Sequence, residues 1–366
     1  MIEQHFGESA PWSLGLEEEV QILDRDTLAL APAIEPLLGS VEGRELPGEL
    51  KMELLASIVE LATKVCDTPE EALAALRELR AAADEGARTS GHRIAAAGTH
   101  PFSLPEAQDI APDPRYREFV EYAGVSARRQ GVCGLHVHVG MPGPEECMRA
   151  LEGVLPWLPL VLALSANSPY LAGEETGLAS ARAEVLAQLP RASAPPVFGS
   201  YAEWEAFVER FVRIGLADGY TRFWWDIRPH PRFGTLEVRT PDQPTAIENT
   251  AAFTALMQAL CVTVAEGDPP APANRGDYAQ NRWAALRFGP RAQLIHPDGE
   301  RLVGVEELTQ ELLELVEPAA RELGGAEALA ALDPGACEGD RQLEVGRARG
   351  LEAVVADVAE RTVRSI

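Results

Sequence analysis

The sequence has 366 residues, 46% of them hydrophobic, and its 57 acidic and 32 basic residues give a formal net charge of −25. This is enough apolar material for a large globular core, and the excess of acid disfavours nucleic acid or an anionic membrane as the main partner. No stretch approaches the ~20 apolar residues of a membrane span and residues 1–12 lack the features of a signal peptide, so we expect a cytoplasmic protein.

The first predicted element is a strand over residues 13–24, SLGLEEEVQILD, in which apolar and polar residues alternate. Successive side chains of a strand point to opposite faces, so Glu17 and Glu19 project together while Glu18 shares the apolar face. Two neighbouring carboxylates repel each other unless a cation lies between them. The segment therefore predicts either a cation site at Glu17 and Glu19 or a solvated sheet face.

Residues 53–63, ELLASIVELAT, fit two structures. In a helix, Glu53, Ser57 and Glu60 share one face and Glu60 is a surface residue. In a strand over SIVELAT, Ile58 and Glu60 lie on the same face instead. The pattern alone leaves both open.

A helix is predicted over residues 68–90, with Thr68 as its N-cap, and a short strand over residues 93–97. The next strand lies in GVCGLHVHVGMP, residues 131–142, where His136 and His138 share a face. Such a pair is found both as a structural feature and as metal ligands.

The rest of the chain is predicted to be mostly helical, with one further strand. The strand GTLEVRT, residues 234–240, places Glu237 and Arg239 on one face. The strands do not alternate steadily with helices, so we expect an antiparallel sheet backed by helices in a single domain over residues 1–366. The predicted helices lie at residues 145–165 with an interruption at Pro156 and Pro159, 200–214, and near 244–265, 275–288, 304–323 and 341–364.

A sheet face that carries glutamates and an occasional histidine suits Mg²⁺ or Mn²⁺ better than zinc. Arginines in apolar, aromatic or small-residue surroundings need anionic partners, which are either substrate groups or the abundant glutamates. No glycine-rich phosphate loop opens a helix, which disfavours Walker and Rossmann nucleotide sites. Four arginines lie in such surroundings: Arg182, Arg228, Arg239 and Arg282.

Seven segments together resemble the carboxylate-amine ligase family, also called glutamate-cysteine ligase type 2, from about residue 13 to about residue 350. The ordered combination is specific, although no single segment is. The segments are GLEEEVQILD, ELLASIVELAT, AAAGTHPF, GLHVHVG, NSPYLAGEETGLASAR, WWDIRPHPRFGTLEVRTPDQPT and QNRWAALRFG.

The resemblance implies an α+β fold related to the glutamine synthetase catalytic domain, a curved antiparallel sheet that forms an open half-barrel with helices on its outer face. ATP and metal ions are expected on the concave face. The sequence departs from the usual family text at Ile58, where a polar residue is common, and this affects the expected substrates. The implied metal ligands are Glu17, Glu19, Glu60, His136 with His138 beside it, and Glu237.

The implied reaction is amide formation through an acyl phosphate, with ATP and Mg²⁺ (or Mn²⁺) as cofactors. Glu237, Arg228 and Arg239 are the expected catalytic residues; the two arginines stabilise the transferred phosphoryl group. Arg239, Arg182 and Arg282 are the expected nucleotide or substrate-carboxylate contacts.

The expected substrates are a glutamate-like acid and an amine, with γ-glutamylcysteine as the product if the two are glutamate and cysteine. Family habit also suggests a homo-oligomer. Two alternatives are a zinc hydrolase that uses His136 and His138, and a nucleotide-binding protein without catalysis.

Overall fold

The computed structural model describes residues 2–364 and 366. At its centre is a seven-stranded antiparallel sheet that does not close into a barrel, and two short hairpins lie apart from it. The described strands are β1 (Leu14–Asp24), β2 (Gly48–Met52), β3 (Ile58–Thr63), β4 (His92–Ala95), β5 (Leu135–Gly140), β6 (Tyr170–Leu171), β7 (Glu174–Glu175), β8 (Ile227–His230), β9 (Thr235–Val238), β10 (Gln293–Ile295) and β11 (Leu302–Gly304). The central sheet has the order β2-β3-β1-β5-β9-β8, and β4 pairs with β1.

Most predicted helices are present, and the differences have local causes. The helix predicted over residues 145–165 is interrupted by a 3₁₀ turn that contains Pro156, as expected. The helix predicted over residues 341–364 is instead two helices, because the backbone at Gly350 takes a φ of 86°. The described α-helices are α1 (Ile34–Val41), α2 (Pro69–Thr89), α3 (Pro114–Ala123), α4 (Val125–Arg128), α5 (Pro144–Val154), α6 (Leu158–Ser165), α7 (Ala181–Leu186), α8 (Tyr201–Arg213), α9 (Ile247–Glu266), α10 (Arg275–Phe288), α11 (Val305–Glu322), α12 (Glu338–Arg349) and α13 (Leu351–Thr362).

The main core lies between one face of the sheet and the helices α2, α5 and α9. Leu16, Val137 and Val238, from three neighbouring strands, are all buried there. Because side chains alternate along a strand, burial of these residues turns the intervening polar residues toward the opposite face. The core thus fixes which face of the sheet carries the charged groups.

One charged residue of β1 points into this core. Glu18 is fully buried and accepts two hydrogen bonds from Arg80 of α2, Nε to Oε2 at 2.7 Å and Nη2 to Oε1 at 2.8 Å. The Thr250 hydroxyl donates a third, at 2.6 Å. Glu18 lies on the apolar face, as predicted, but its partner Arg80 was not foreseen from the sequence.

Residues 58–63, whose pattern was ambiguous, form strand β3, so the strand alternative is correct. Strand β2, which the sequence analysis did not predict, pairs with β3 and forms the edge of the sheet. Ile58 is buried in a small apolar cluster that is separate from the main core.

Two helical stretches, Pro144–Ser165 and Ile247–Glu266, are long and apolar enough to cross a membrane by length and composition alone. The prediction that no stretch approaches the length of a membrane span is therefore wrong for these two. In the structure 83% and 78% of their most apolar windows are buried inside the protein, which is how the core helices of a globular fold are packed.

Candidate functional site

The register of the sheet brings the predicted polar residues onto adjacent positions of one face. Glu19 lies opposite Glu60 of β3, and Glu17 lies opposite His136 of β5. His138 in turn lies opposite Glu237 of β9. Directly opposite residues of antiparallel strands have Cβ atoms about 4.5–5.5 Å apart. Four strands therefore supply one continuous group of carboxylates and imidazoles.

The tightest part of this group consists of Glu17, His138 and Glu237, each of which offers one ligand atom within 4.8 Å of the others. The Nδ1 atom of His138 is 2.9 Å from the Thr235 hydroxyl oxygen, which orients the ring. Its Nε2 atom is buried and has no hydrogen-bond partner among the described residues. A free imidazole nitrogen beside two carboxylates fits a divalent cation, and the majority of oxygen donors favours Mg²⁺ or Mn²⁺.

The carboxylates of β1 are already oriented by their neighbours. The Nδ1 atom of His136 lies 3.0 Å from Glu17 Oε2. Burial would raise the pKa of Glu17, but the hydrogen bond with His136 and the nearby imidazole of His138, whose Nε2 lies 3.8 Å from Glu17 Oε1, outweigh it and hold that pKa well below its usual range. Glu19 accepts a hydrogen bond of 2.6 Å from the backbone N–H of Gly134. Both carboxylates are thus preorganised as ligands.

Two further carboxylates, Glu60 and Glu53, lie beside this group. Burial and repulsion from Glu17 and Glu53 raise the pKa of Glu60 well above its usual value, although Lys51 Nζ lies 3.3 Å from its Oε1. Burial and the charge of Glu19 raise the pKa of Glu53 to about 7. Excess negative charge of this kind is relieved by bound cations.

Glu53 was not predicted as a site residue. Its sequence pattern places it only on a possible helix face, whereas the chain between β2 and β3 turns it toward Glu19 and Glu17. That turn follows from the pairing of β2 with β3, which the local pattern did not reveal.

Arg228 and Arg239 both contact Glu237. Arg228 donates from Nε at 2.6 Å and from Nη2 at 3.1 Å, and the Nη1 atom of Arg239 contacts the same carboxylate. Burial would raise the pKa of Glu237, but the two guanidinium groups outweigh it and keep the pKa well below its usual value. The Nη1 atom of Arg228 donates to the carbonyls of Thr221 and Phe223, so Arg228 is fully engaged in holding Glu237.

The other two predicted arginines have different surroundings. Arg182 is buried and donates to the backbone carbonyls of Thr240 and Arg239, while its Nε has no partner among the described residues. A Cβ at position 134 would collide with its guanidinium group, so Gly134 makes room for it. Arg282 forms a 2.7 Å ion pair with Asp226 and does not line the cavities described next.

Two cavities open beside the polar group. The first cavity, about 620 Å³, includes Glu19, His136, Arg182 and Arg239 in its lining. The second cavity, about 860 Å³, reaches the same group from Glu17 and His138. Glu17 and His136, which lie opposite each other on paired strands, therefore face different cavities, and of the group that fits a cation Glu17 and His138 line the second.

A family model described as glutamate-cysteine ligase family 2 matches residues 13–356. The chain belongs to this family. The assignment to glutamate-cysteine ligase family 2 that the seven sequence segments suggested is thus confirmed, and with it the prediction of a ligase.

Several relatives are similar to this chain along nearly its whole length. "Putative glutamate-cysteine ligase 2-3" of Rubrobacter xylanophilus is 42% identical over 365 residues, which cover 99% of this chain and 100% of that protein. "Putative glutamate-cysteine ligase 2" of Herpetosiphon aurantiacus is 36% identical, over 97% of this chain and 94% of its own.

Solved structures share the fold at low sequence identity. Glutamate-cysteine ligase of Francisella tularensis, solved in complex with AMP, gives a TM-score of 0.73 at 16% identity, over 98% of this chain and 89% of that one. A bifunctional glutathione synthetase of Pasteurella multocida gives 0.71 at 17% identity, over 97% of this chain and 52% of that one. The predicted α+β fold, an open antiparallel sheet with helices on one face, is confirmed.

Proposed function

We propose that this chain is an ATP- and Mg²⁺-dependent carboxylate-amine ligase that joins a glutamate-like acid to an amine through an acyl phosphate. The name of the ligase family and the AMP in the Francisella tularensis structure support the use of an adenine nucleotide. A cytoplasmic location and a homo-oligomeric assembly stay predictions from the sequence.

The observation that carries the proposal is the group of Glu17, His138 and Glu237, two of which line the second cavity, while the neighbouring Glu19 and His136 line the first. A phosphoryl transfer needs two substrates that approach one charge-neutralising centre from opposite sides. The group offers two carboxylates and only one imidazole, and these mostly oxygen donors suit Mg²⁺ better than zinc, which prefers His and Cys, so they favour a ligase over the zinc hydrolase.

The reaction has two steps. An oxygen of the substrate carboxylate bonds to the γ-phosphorus of ATP while the bond to the β-phosphate oxygen breaks and ADP leaves. The amine nitrogen then bonds to the acyl carbon, the bond from that carbon to the phosphate oxygen breaks, phosphate leaves, and the nitrogen loses a proton to water. When bound, Mg²⁺ neutralises the phosphate oxygens in the first step.

The side chains of the site have distinct tasks in this scheme. Glu17, His138 and Glu237, with Glu19 and Glu60 beside them, would hold the cations. Arg239 lines the first cavity and would bind the carboxylate or the transferred phosphoryl group through its planar guanidinium. Arg228 keeps Glu237 ionised and in place.

Phosphate release from ATP tests the proposal, measured with Mg²⁺, a panel of carboxylic acids that includes glutamate, and hydroxylamine as a small general nucleophile. Hydroxylamine traps an acyl phosphate as a hydroxamate, which an iron(III) colour assay detects. We expect hydroxamate and phosphate in equal amounts with at least one acid. Phosphate release without hydroxamate, or neither product with any acid, contradicts the proposal.

A matched pair of variants ties activity to the site. Glu17→Gln removes a charged ligand, and we expect it to lower turnover more than about 100-fold, beyond the usual effect of outer-shell changes. Glu70→Gln removes the same charge from an exposed position of α2 and leaves turnover unchanged. Equal activity of the two variants removes Glu17 from the proposed centre.

A further inference from the structure

Part of the lining of the first cavity is apolar. Phe119 and Trp224 pack against each other there, with ring centroids 5.1 Å apart. Leu54, Leu186 and Leu189 continue the surface, and we call these five residues the aromatic wall. The wall belongs to an apolar cluster separate from the main core, which also contains Ile58. At position 58 the family that the sequence resembles commonly has a polar residue. Isoleucine at this position makes the cluster that packs behind the wall apolar.

Charged residues near the wall are mostly paired with each other. Arg222 forms a 2.7 Å ion pair with Asp218, and Arg115 forms one of the same length with Asp113. These pairs leave few free charges on this side of the cavity for a charged amino-acid head group. Glu19 and Arg239, which also line this cavity, belong to the charged group of the sheet, and Arg239 contacts Glu237 there.

A buried polar atom of Gln130, a residue of the cavity lining, has no hydrogen-bond partner among the described residues. Gln130 is 7% exposed, and its Nε2 donates to the carbonyls of Ser126 and Val185, which fixes which end of the amide is nitrogen. Its Oε1 is buried and accepts no hydrogen bond from the described residues. A buried acceptor without a donor is unfavourable, so a ligand N–H is the natural partner.

We infer that the first cavity takes an amine with an apolar ring or branched chain, whose N–H donates to Gln130 Oε1 and whose apolar group lies on the aromatic wall. The inference rests on the proposed ligase function and deepens it by naming the class of the amine. Cysteine, with one small side-chain atom beyond Cβ, would leave most of the wall uncovered, whereas a phenyl-sized group removes it from water.

Two matched amines test the inference with glutamate or whichever acid gives hydroxamate: 2-phenylethylamine and ethylamine, which differ only by the ring. Coupled phosphate release gives kcat/KM for each amine. We expect the ring to raise kcat/KM by at least about tenfold, since single methylenes in apolar pockets already change it by that factor.

Variants assign the preference to the wall. Trp224→Ala reduces the ratio of the two kcat/KM values by about tenfold. Trp283→Ala is the matched control, because Trp283 is 51% exposed on α10 and outside the cavity, and it leaves the ratio unchanged. Gln130→Met keeps the side-chain length without the acceptor and raises KM for both amines by about threefold to tenfold.

The outcomes separate this inference from the ligase function. Hydroxamate formation without any preference for the ring, or a ring preference that Trp224→Ala does not reduce, overturns the inference and leaves the ligase intact. Calorimetric titration with 2-phenylethylamine gives a readout without turnover, in which saturable binding that Trp224→Ala weakens supports the inference. No binding, whether or not phosphate is released, overturns it.

Discussion

Replacement of Arg80 by methionine tests the role of the buried ion pair between α2 and strand β1. Arg80 and Glu18 are both fully buried, and Arg80 also donates to the carbonyls of Thr245 and Pro244 at 2.8 and 3.1 Å. Arg80→Met leaves the Glu18 carboxylate with only the Thr250 hydroxyl as a hydrogen-bond donor among the described residues. Removal of one partner of such a pair costs about 3–5 kcal/mol, because an uncompensated charge stays buried.

The expected loss of stability converts into a change of unfolding temperature. An unfolding entropy of about 2.1 cal/mol/K per residue gives about 0.77 kcal/mol/K for 366 residues. The variant should therefore unfold about 4–6 °C below the parent protein in a calorimetric or circular-dichroism melt.

Two further proteins make this result interpretable. Arg44→Met breaks the exposed pair of Arg44 with Glu85, at 2.7 Å, and should cost less than about 1 kcal/mol. The double variant Glu18→Leu with Arg80→Met removes both charges and should recover part of the loss. A melt of Arg80→Met within about 1 °C of the parent, or a double variant less stable than the single one, would refute the reasoning.

Three more predictions concern the site. Thr235→Val removes the partner of His138 Nδ1 and should weaken Mn²⁺ binding about 10–100-fold in an electron paramagnetic resonance titration, with an unchanged melting temperature in the absence of metal. Gly134→Ala pushes a Cβ into the Arg182 guanidinium and should lower both the melting temperature and hydroxamate formation; normal values for both would contradict the crowding. The raised pKa of Glu53, about 7 against a usual 4.5, means that the folded state holds an extra proton between these values, so this group's contribution to stability falls as pH rises from about 4.5 to 7. In EDTA, Glu53→Gln should lose less melting temperature than the parent protein between pH 5 and pH 8, and parallel curves would contradict this assignment.

The sequence was sufficient for features that depend on short periodic patterns. Alternation in residues 13–24 correctly placed Glu17 and Glu19 on one face and Glu18 on the other, and the same rule placed His136 with His138. The resemblance of seven ordered segments to a known family predicted the fold.

Features that depend on contacts between distant segments were not predictable in this way. The sequence could not show that Arg80 meets Glu18, 62 residues away, or that Glu53 turns toward Glu19. Nor could the sequence show which acidic residue each arginine contacts. Arg282 and Arg228 both lie in aromatic or small-residue surroundings, yet Arg282 pairs with Asp226 and Arg228 pairs with Glu237. These outcomes are decided by which strands and helices pack together.

The ligand atoms of the proposed centre lie on paired residues of adjacent strands, whereas the aromatic wall comes from α3, the end of α7 with the chain after it, and irregular chain at Leu54 and Trp224. A slip of one residue in the ladder would turn every ligand into the core, so the phosphate chemistry tolerates little drift. Wall residues carry no such constraint. Proteins that share this fold can therefore change the amine substrate by substitutions in helices and loops, while the sheet residues proposed to activate the acid stay the same.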